Sequence, residues 1–343
     1  MKYVPQLDGL RALAVLMVFL HHAFTIPLLW AGVDLFFILS GYLITNILVR
    51  DRERLSFGSM LGKFYLRRAE RILPAYLIAL LLLVVFTRTQ WAHIWIYYAT
   101  FLQNIPYAFH LIPDGPLVPL WSLAVEQQFY LVWPILVFFL PSRWLAPTMV
   151  GVLLASPLLR AAATPLFAQS EAIYCLTPFR LDAMAAGALA ALLLPHCNPR
   201  RTIRAAQITM VLTCIAYILL GAHPWFRRQA NTSVFNGLAY SMNILILGGL
   251  FVWTTLSQNT WLTRFFSHPL LRGLGRISYM FYLLHLLVLQ RLHSSFGRPA
   301  AAALAFALTA ALSTLSWFVV EKPILSLSAS HRRAAPATPT AAI

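Results

Sequence analysis

The chain alternates long apolar runs with short polar segments. Eleven apolar stretches approach the length needed to cross a bilayer. They are centred roughly on residues 20, 41, 79, 98, 130, 152, 183, 212, 245, 283 and 310. This pattern predicts an all-α fold, a polytopic membrane helical bundle.

The basic residues between these stretches predict how the helices are oriented. The strongest basic block runs from Arg50 to Arg71, and the excess of Lys and Arg in cytoplasmic loops places it in the cytoplasm. The first stretch then runs outward and the second inward. Counted back from the other end, the basic segments near Arg332, Arg272 and Arg201 are also cytoplasmic, so both termini are predicted to be cytoplasmic. The orientations counted from the N-terminal end and from the C-terminal end agree only if one of the eleven stretches does not cross the membrane.

The segment Trp91–Ile105 is the weakest candidate for a span. It is short and rich in aromatic residues, which prefer the membrane interface. We therefore predict ten transmembrane helices plus one interfacial or re-entrant segment. Residues 1–330 form a single transmembrane domain in this prediction, and the Ala/Pro/Thr-rich residues 331–343 form a disordered cytoplasmic tail.

The composition excludes a soluble fold. Of the 343 residues, 60% are hydrophobic and only 10% are charged, and the mean hydropathy is +0.72. The formal net charge of +16 comes from short blocks between apolar runs, where basic residues orient helices and meet anionic headgroups, so nucleic acid is not an expected partner. The three cysteines show neither metal-ligand nor paired spacing, so no metal site or disulfide is predicted.

Two ionisable residues stand out in the first stretch. Arg11 and His22 are eleven residues apart, which returns both to one helix face at separate depths, about 16 Å apart along the axis. A charge at membrane depth is costly unless it faces a cavity or a partner, so the pair is a candidate functional site. The alternative is that Arg11 reaches the cytoplasmic interface and His22 hydrogen-bonds a neighbouring helix.

Further polar side chains interrupt the other spans. Glu126, Arg180, Asp182 and His285 each lie in an otherwise apolar stretch. Each one alone could have a structural role, and Glu126 could pair with Arg180. Taken together, two acids, two arginines and two histidines indicate a water-containing cavity that handles charge or protons.

Seven motifs, from about Leu7 to Pro323, carry a family resemblance. They are QLDGLRALAVLMVFLHH, GVDLFFILSGYLIT, FYLRRAERILPAY, WSLAVEQQFYLVWP, RLDAMAAG, ISYMFYLLH and VEKP. In this order they resemble the membrane-bound acyltransferase type 3 family. The resemblance implies transfer of an acyl group, often acetyl, from cytoplasmic acyl-CoA to an acceptor such as a surface polysaccharide, peptidoglycan or a macrolide. The motifs also contain Asp34, Ser278 and Tyr279, which we add as intramembrane polar candidates.

The sequence departs from the family pattern in two respects. Gln127 occupies the place where the family often has a second Glu, which weakens any scheme that needs two acids there. No extracytoplasmic hydrolase domain of the SGNH type follows the last apolar stretch, so the chain is expected to complete the transfer without a fused partner domain.

Acyl transfer needs a base for the acceptor proton, groups that stabilise the oxyanion, and an anchor for the donor phosphates. Histidine suits the first task, so His22 is the candidate base. Arg11 would position the donor or stabilise the charge that develops during transfer. Glu126 completes the candidate catalytic set. His21 points about 100° away from His22 and is expected to be a packing or interfacial residue.

The donor site is predicted where Arg67, Arg68 and Arg71 enter the third apolar stretch. Arg68 and Arg71 share a helix face, so their guanidiniums can clamp a phosphate, although such residues commonly only set topology and contact anionic lipid. Ser40, Gly41 and Gly187 are assigned to close helix packing. The aromatic stripes are assigned to lipid or to the interface.

The predicted function is therefore an O-acyltransferase of the bacterial inner membrane. Its expected partners are membrane lipid, acyl-CoA as the donor substrate and a glycan or glycolipid acceptor, with no permanently bound cofactor and no metal. A small-molecule acceptor such as a macrolide remains an alternative. A transporter or flippase would also need intramembrane charges around a cavity.

Overall fold

The computed structural model describes residues 3–87, 89, 91–112, 115–293 and 295–327. Within these ranges the secondary structure is helical and contains no strand. The α-helices are α1 (Pro5–Phe24), α2 (Gly32–Arg52), α3 (Phe57–Phe86), α4 (Trp91–Ala99), α5 (Asn104–Ala108), α6 (Leu120–Phe139), α7 (Ser142–Ala163), α8 (Glu171–Cys175), α9 (Leu181–Leu193), α10 (Pro199–Gly221), α11 (Ser233–Leu256), α12 (Trp261–Phe266), α13 (Pro269–His293) and α14 (Arg298–Ser316). The predicted tail, residues 331–343, and the domain limit at residue 330 lie outside the described residues.

Eight helical segments of the described chain are long and apolar enough to cross a membrane. They are Pro5–Phe24, Leu29–Arg52, Phe57–Phe86, Leu120–Phe139, Ser142–Leu166, Pro199–Gly221, Ser233–Leu256 and Arg298–Leu327. The other two predicted spans correspond to α9, which continues as a 3-10 turn to His196, and to α13, which has 25 residues but carries Arg272 and Arg276 near its start. The all-α polytopic bundle is thus confirmed, and the count of ten spans stays a prediction.

The segment Trp91–Ile105 forms short helices rather than one long one. Its main helix, α4, has nine residues, fewer than the roughly 20 needed to span a bilayer. The hydroxyl of Tyr76 on α3 donates to the carbonyl of Tyr98 at 2.9 Å and so ties α4 to the bundle. The structure therefore agrees with the prediction that this stretch does not cross as a helix, and its place at the interface stays a prediction.

Two helix pairs pack backbone against backbone through glycine. A Cβ atom at Gly41 would lie 2.0 Å from the carbonyl oxygen of Met184, and one at Gly187 would lie 2.0 Å from that of Ile38. These glycines let α2 and α9 touch, which confirms the packing role predicted for them. At the interface of α1 and α13, a Cβ atom at Gly275 would lie 1.9 Å from the carbonyl oxygen of Asp8.

Two ends of the bundle can be distinguished by their contacts. At one end Lys63 near the start of α3 pairs with Asp51 near the end of α2 at 3.0 Å, and Arg272 Nε donates to the Tyr3 hydroxyl at 3.3 Å. We call this the basic end. At the opposite end the Arg291 guanidinium donates to the carbonyl of Phe86. Helices α1, α3 and α13 therefore run in the same direction, away from the basic end.

Candidate active site

Four of the predicted arginine and acid residues line one cavity with an empty volume of about 740 Å³. Arg11 comes from α1, Arg68 and Arg71 from α3, and Glu126 from α6. We call this space the arginine cavity. Its other polar lining residues are Ser40, Ser122, Tyr130, Ser278, Tyr279 and Tyr282. The sequence separation of these residues is large, so the cavity exists only because five helices, α1, α2, α3, α6 and α13, converge.

Glu126 is held by two hydroxyl groups. The Ser40 hydroxyl donates to Glu126 Oε1, and the Tyr130 hydroxyl donates to the same oxygen at 2.6 Å. Ser40 thus supports the acid in the arginine cavity, beyond the packing role expected for it. Gln127, the next residue, is described but does not line this cavity, so Glu126 is the acid that faces it among the described residues.

The arginines of α3 do not all face the same way. Arg68 and Arg71 line the arginine cavity, as their shared helix face predicted, whereas Arg67 does not line it, because one residue turns the side chain by about 100°. Among the described residues, Arg68 Nε is a buried donor without a hydrogen-bond partner. A buried unpaired donor is costly, which indicates that this edge of Arg68 is available to an anionic ligand.

A second cavity lies beyond the first, toward the end opposite the basic end. It has an empty volume of about 760 Å³ and is lined by His21 and His22 from α1, Gln290 from α13, and Arg228 from the segment between α10 and α11. We call it the histidine cavity. Its aromatic lining residues are Tyr107, Trp121, Tyr174 and Tyr282. Arg228 lies over the Tyr174 ring, 3.9 Å from the ring centroid.

The placement of His21 differs from the sequence-based expectation. His21 was expected to pack or to lie at the interface, away from His22, but both line the histidine cavity, and their ring centroids are 5.4 Å apart. The cause is the end of α1, since both side chains belong to its last turn and the chain turns away at Thr25, whose φ is 57°. His21 Nδ1 contacts the Ile26 carbonyl at 3.0 Å.

Arg11 lines the arginine cavity and His22 lines the histidine cavity. This agrees with the predicted placement of both residues on one helix face at two depths. The cavities meet at Val33 and Tyr282, which line both of them. The Tyr282 hydroxyl donates to the carbonyl of Pro119 at 2.9 Å and lies 2.7 Å from the Ser122 hydroxyl. Val33 of α2 and Tyr282 of α13 therefore form a wall that the two cavities share, and Ser122 of α6 supports it.

The intramembrane acids and arginines pair differently from what was expected. Arg180 pairs with Asp34 at 2.5 Å, and Asp182 pairs with Arg160 at 2.6 Å, so the suggested pairing of Glu126 with Arg180 is wrong. The reason is that Arg180 immediately precedes α9, which packs on α2, the helix that carries Asp34. All four charged side chains are buried.

Arg160 was not identified from the sequence. It follows the apolar run of α7, and the criterion used for Arg180, a charge within a span, would have found it. Its guanidinium donates to Asp182 at 2.6 Å and to the carbonyls of Phe179 at 2.7 Å and Asn236 at 2.8 Å. Arg160 therefore joins α7, α9 and α11 behind the cavities.

Aromatic rings surround Arg180, which corrects their assignment to lipid or interface. The Arg180 guanidinium lies 4.7–5.8 Å from the ring centroids of Tyr240, Tyr174, Trp121 and Phe37. Phe37 lines the arginine cavity, and Trp121 and Tyr174 line the histidine cavity. The Asp34–Arg180 pair thus supports the walls of both cavities and lines neither of them.

The remaining candidates lie on α13. Ser278 donates to the Gly275 carbonyl at 2.8 Å, Tyr279 donates to the Ile72 carbonyl at 3.4 Å, and both side chains line the arginine cavity. His285 is fully buried, and its Nε2 lies 3.1 Å from Nδ1 of His22.

Comparison with known proteins agrees with the resemblance in the motifs. A family model described as an acyltransferase domain matches residues 4–321. The chain is 30% identical over 316 residues to the peptidoglycan O-acetyltransferase OatA of Listeria monocytogenes, covering 83% of this chain and 49% of that protein. It is 28% identical over 353 residues to the O-acetyltransferase OatA of Staphylococcus aureus, covering 94% of this chain and 57% of that protein.

The chain therefore spans about half the length of the curated relatives that it matches. No solved structure matches it. The family model covers every residue that lines the two cavities. From this match across nearly the whole chain, together with seven motifs in order, the protein belongs to the membrane-bound acyltransferase type 3 family.

Proposed function

We propose that this protein is a multi-pass O-acyltransferase of the bacterial inner membrane. It takes an acyl group, most simply acetyl, from acyl-CoA at the arginine cavity and transfers it to a hydroxyl of a glycan or glycolipid held at the histidine cavity. The observation that carries the proposal is the meeting of the two cavities at Val33 and Tyr282, with arginines on one side and histidines on the other.

The arginine cavity suits a phosphate-bearing donor. Arg68 and Arg71 come from one face of α3 and Arg11 comes from α1, so three guanidiniums converge on one space. Guanidiniums bind phosphate through paired, charge-assisted hydrogen bonds. The basic end is predicted to be cytoplasmic, which supports acyl-CoA as the donor because acyl-CoA is a cytoplasmic metabolite.

The histidine cavity suits a hydroxyl acceptor. His22 is the base that takes the acceptor proton, and Gln290 and Arg228 offer hydrogen bonds to ring substituents. The flat faces of Trp121, Tyr107 and Tyr174 offer apolar contact to a sugar ring, and a few polar groups among apolar walls are typical of a ligand site. A macrolide presents sugars and hydroxyls as well, so it remains the second acceptor class.

The deciding experiment compares surface glycans of a strain lacking the gene with those of strains complemented by the wild type or by His22→Ala. We expect the acyl modification to be absent in the deletion strain, restored by wild type and not restored by His22→Ala. Purified wild-type protein in liposomes should release free CoA from acetyl-CoA only when an acceptor is present. Restoration by His22→Ala would reject the base, and unchanged glycans in the deletion strain would reject a glycan acceptor.

A transporter makes a different prediction. In the same liposomes, transport of an intact molecule would move label across the bilayer without cleaving the thioester. Label movement with no CoA release would therefore replace the proposed function.

A further inference from the structure

We propose that His285 is a positioning residue that fixes His22 in the tautomer protonated at Nδ1 and so leaves Nε2 of His22 as the base. The inference rests on the proposed function for the identity of the reaction. Its structural part, the tautomer of His22, rests only on the contacts of the two rings.

The contacts of His22 Nδ1 determine where its proton lies. This nitrogen is 3.0 Å from the carbonyl oxygen of Val18, one turn earlier on α1, and 3.1 Å from Nε2 of His285. A carbonyl oxygen can only accept a hydrogen bond, so Nδ1 must carry the proton. A neutral imidazole has one proton, and Nε2 of His22 is then unprotonated.

The contacts of His285 lead to the same arrangement. Its Nδ1 lies 2.6 Å from the carbonyl oxygen of Tyr282, which again can only accept, so His285 is also protonated at Nδ1. Its Nε2 then has a lone pair directed at the proton on His22 Nδ1. With both rings neutral, this assignment places a proton in each of the three contacts. The His285 Nδ1 proton lies toward the Tyr282 carbonyl, and the His22 Nδ1 proton is shared between the Val18 carbonyl and His285 Nε2.

The surroundings of His285 hold this orientation. The ring is fully buried, lies parallel to Phe281 with an 8° interplanar angle, and meets the edge of Phe19. Close contact of α1 and α13 at Gly275 keeps the two helices in register. Burial also prevents His285 from reaching the acceptor, whereas His22 lines the histidine cavity. The other titratable groups that line this cavity are His21, Arg228, Tyr107, Tyr174 and Tyr282.

The proposed step balances without any additional reagent. The acceptor hydroxyl gives its proton to His22 Nε2, and its oxygen attacks the thioester carbonyl carbon. The C–S bond breaks, the CoA thiolate leaves, and the proton on His22 Nε2 passes to that sulfur. While His22 is an imidazolium, its Nδ1–H forms a charge-assisted bond to His285 Nε2, and His285 stays neutral throughout.

Two substitutions of His285 separate positioning from packing. Gln can place an amide oxygen near the His285 Nε2 position and accept from His22 Nδ1–H, whereas Leu fills similar space without an acceptor. We expect His285→Leu to lower kcat about 100-fold with little change in the acetyl-CoA KM, and His285→Gln to keep kcat within about tenfold of wild type. His196→Leu, at an exposed position after α9, is the matched control and should retain full activity.

Nitrogen NMR of protein labelled with ¹⁵N-histidine reads the tautomer directly. The His22 signals, identified by their loss in His22→Ala, should show an unprotonated Nε2 and a protonated Nδ1 in the wild type. Protonation at Nε2 instead would overturn the inference, as would equal kcat of His285→Leu and wild type. If the wild-type protein transfers no acyl group while NMR shows the expected tautomer, the proposed function fails and the hydrogen-bond assignment stands.

Discussion

The hydroxyl of Tyr282 lies 2.7 Å from the hydroxyl of Ser122 in the wall where the arginine and histidine cavities meet. Because Tyr282 belongs to α13 and Ser122 to α6, this contact joins two helices that are far apart in sequence. The carbonyl of Pro119, 2.9 Å from the Tyr282 hydroxyl, strengthens the same link. Under the proposed function, the donor carbonyl and the acceptor hydroxyl meet beside this pair.

His21 and His22 should differ in their contribution to the rate of acyl transfer. We expect His22→Ala to lower transfer at least 100-fold, because it removes the base, and His21→Ala to lower it only a few-fold, since His21 shares the cavity but has no contact with His285 comparable to that of His22. Acceptor-dependent CoA release by the two purified variants measures the difference. Comparable losses in both variants would show that the cavity as a whole, rather than His22, determines the rate.

Substitution of Arg68 and Arg71 in α3 should show whether these residues bind the donor phosphates or only determine membrane topology. In the double variant Arg68→Lys, Arg71→Lys the positive charge is retained, so insertion should be normal, but paired contacts to phosphate are lost. We expect the acetyl-CoA KM to rise about tenfold with little change in the acceptor KM. Arg67→Lys is the matched control because Arg67 does not line the arginine cavity. If the double variant matched this control, the phosphates would have to bind elsewhere, for example near Arg264, Arg272 and Arg276.

The buried Asp34–Arg180 pair should be needed for stability. Asp34→Asn leaves the Arg180 charge unpaired among aromatic rings, and breaking a buried pair costs about 3–5 kcal/mol. We expect a lower thermal unfolding midpoint and a lower yield of folded protein. The double variant Asp34→Leu, Arg180→Met removes both charges and should be more stable than Asp34→Asn. The opposite order would mean that Arg180 does not depend on Asp34.

The close packing of α1 against α13 can be tested by substituting Gly275, with Gly273 on the same helix as the control. Gly275→Ala would place a methyl group 1.9 Å from the Asp8 carbonyl, so the helices must separate, whereas Gly273→Ala meets nothing within 4 Å. We expect Gly275→Ala to lower the unfolding midpoint and activity, and Gly273→Ala to match the wild type or exceed its stability. Separate measurements of midpoint and CoA release check this. Similar behaviour of the two variants would contradict the close packing.

The predicted orientation can be tested with a cysteine-free background and an impermeant thiol reagent. A cysteine at Ser295, an exposed position just after α13, should react from outside. A cysteine at Arg54 should react only after the membrane is opened. Labelling of a cysteine at Ser330 from outside would indicate an odd number of crossings and would contradict ten spans.

Helix positions and the main polar candidates were predictable because they depend on local chemistry. Apolar length marks a span, and a charge within a span is conspicuous because lipid cannot solvate it. The same reasoning placed Arg68 and Arg71 on one face, but it grouped Arg67 with them in the donor site, and Arg67 does not line the arginine cavity. It missed Arg160, although the signal was present, because Arg160 lies near the end of α7, where a charge resembles an ordinary loop residue.

Partners across the bundle were not predictable, because periodicity within one helix does not specify which neighbour it meets. Arg180 pairs with Asp34 rather than Glu126, and Glu126 accepts from Ser40 and Tyr130. In the sequence, the aromatic residues around Arg180 resemble lipid-facing positions. In the structure they face inward, because α2, α6, α8 and α11 converge around Arg180.

By itself, the sequence determined that this protein lies in a membrane, which helices form, and that Arg11, His22 and Glu126 are candidate catalytic residues. Only the tertiary structure decided that Arg11 and His22 face separate cavities that share Tyr282 as a wall, and that His285 contacts His22. The physical reason is one of range. Hydrophobicity and helix periodicity act over neighbouring residues, whereas the pairing of buried polar groups depends on which helices pack together, and here glycines at their contacts set that packing.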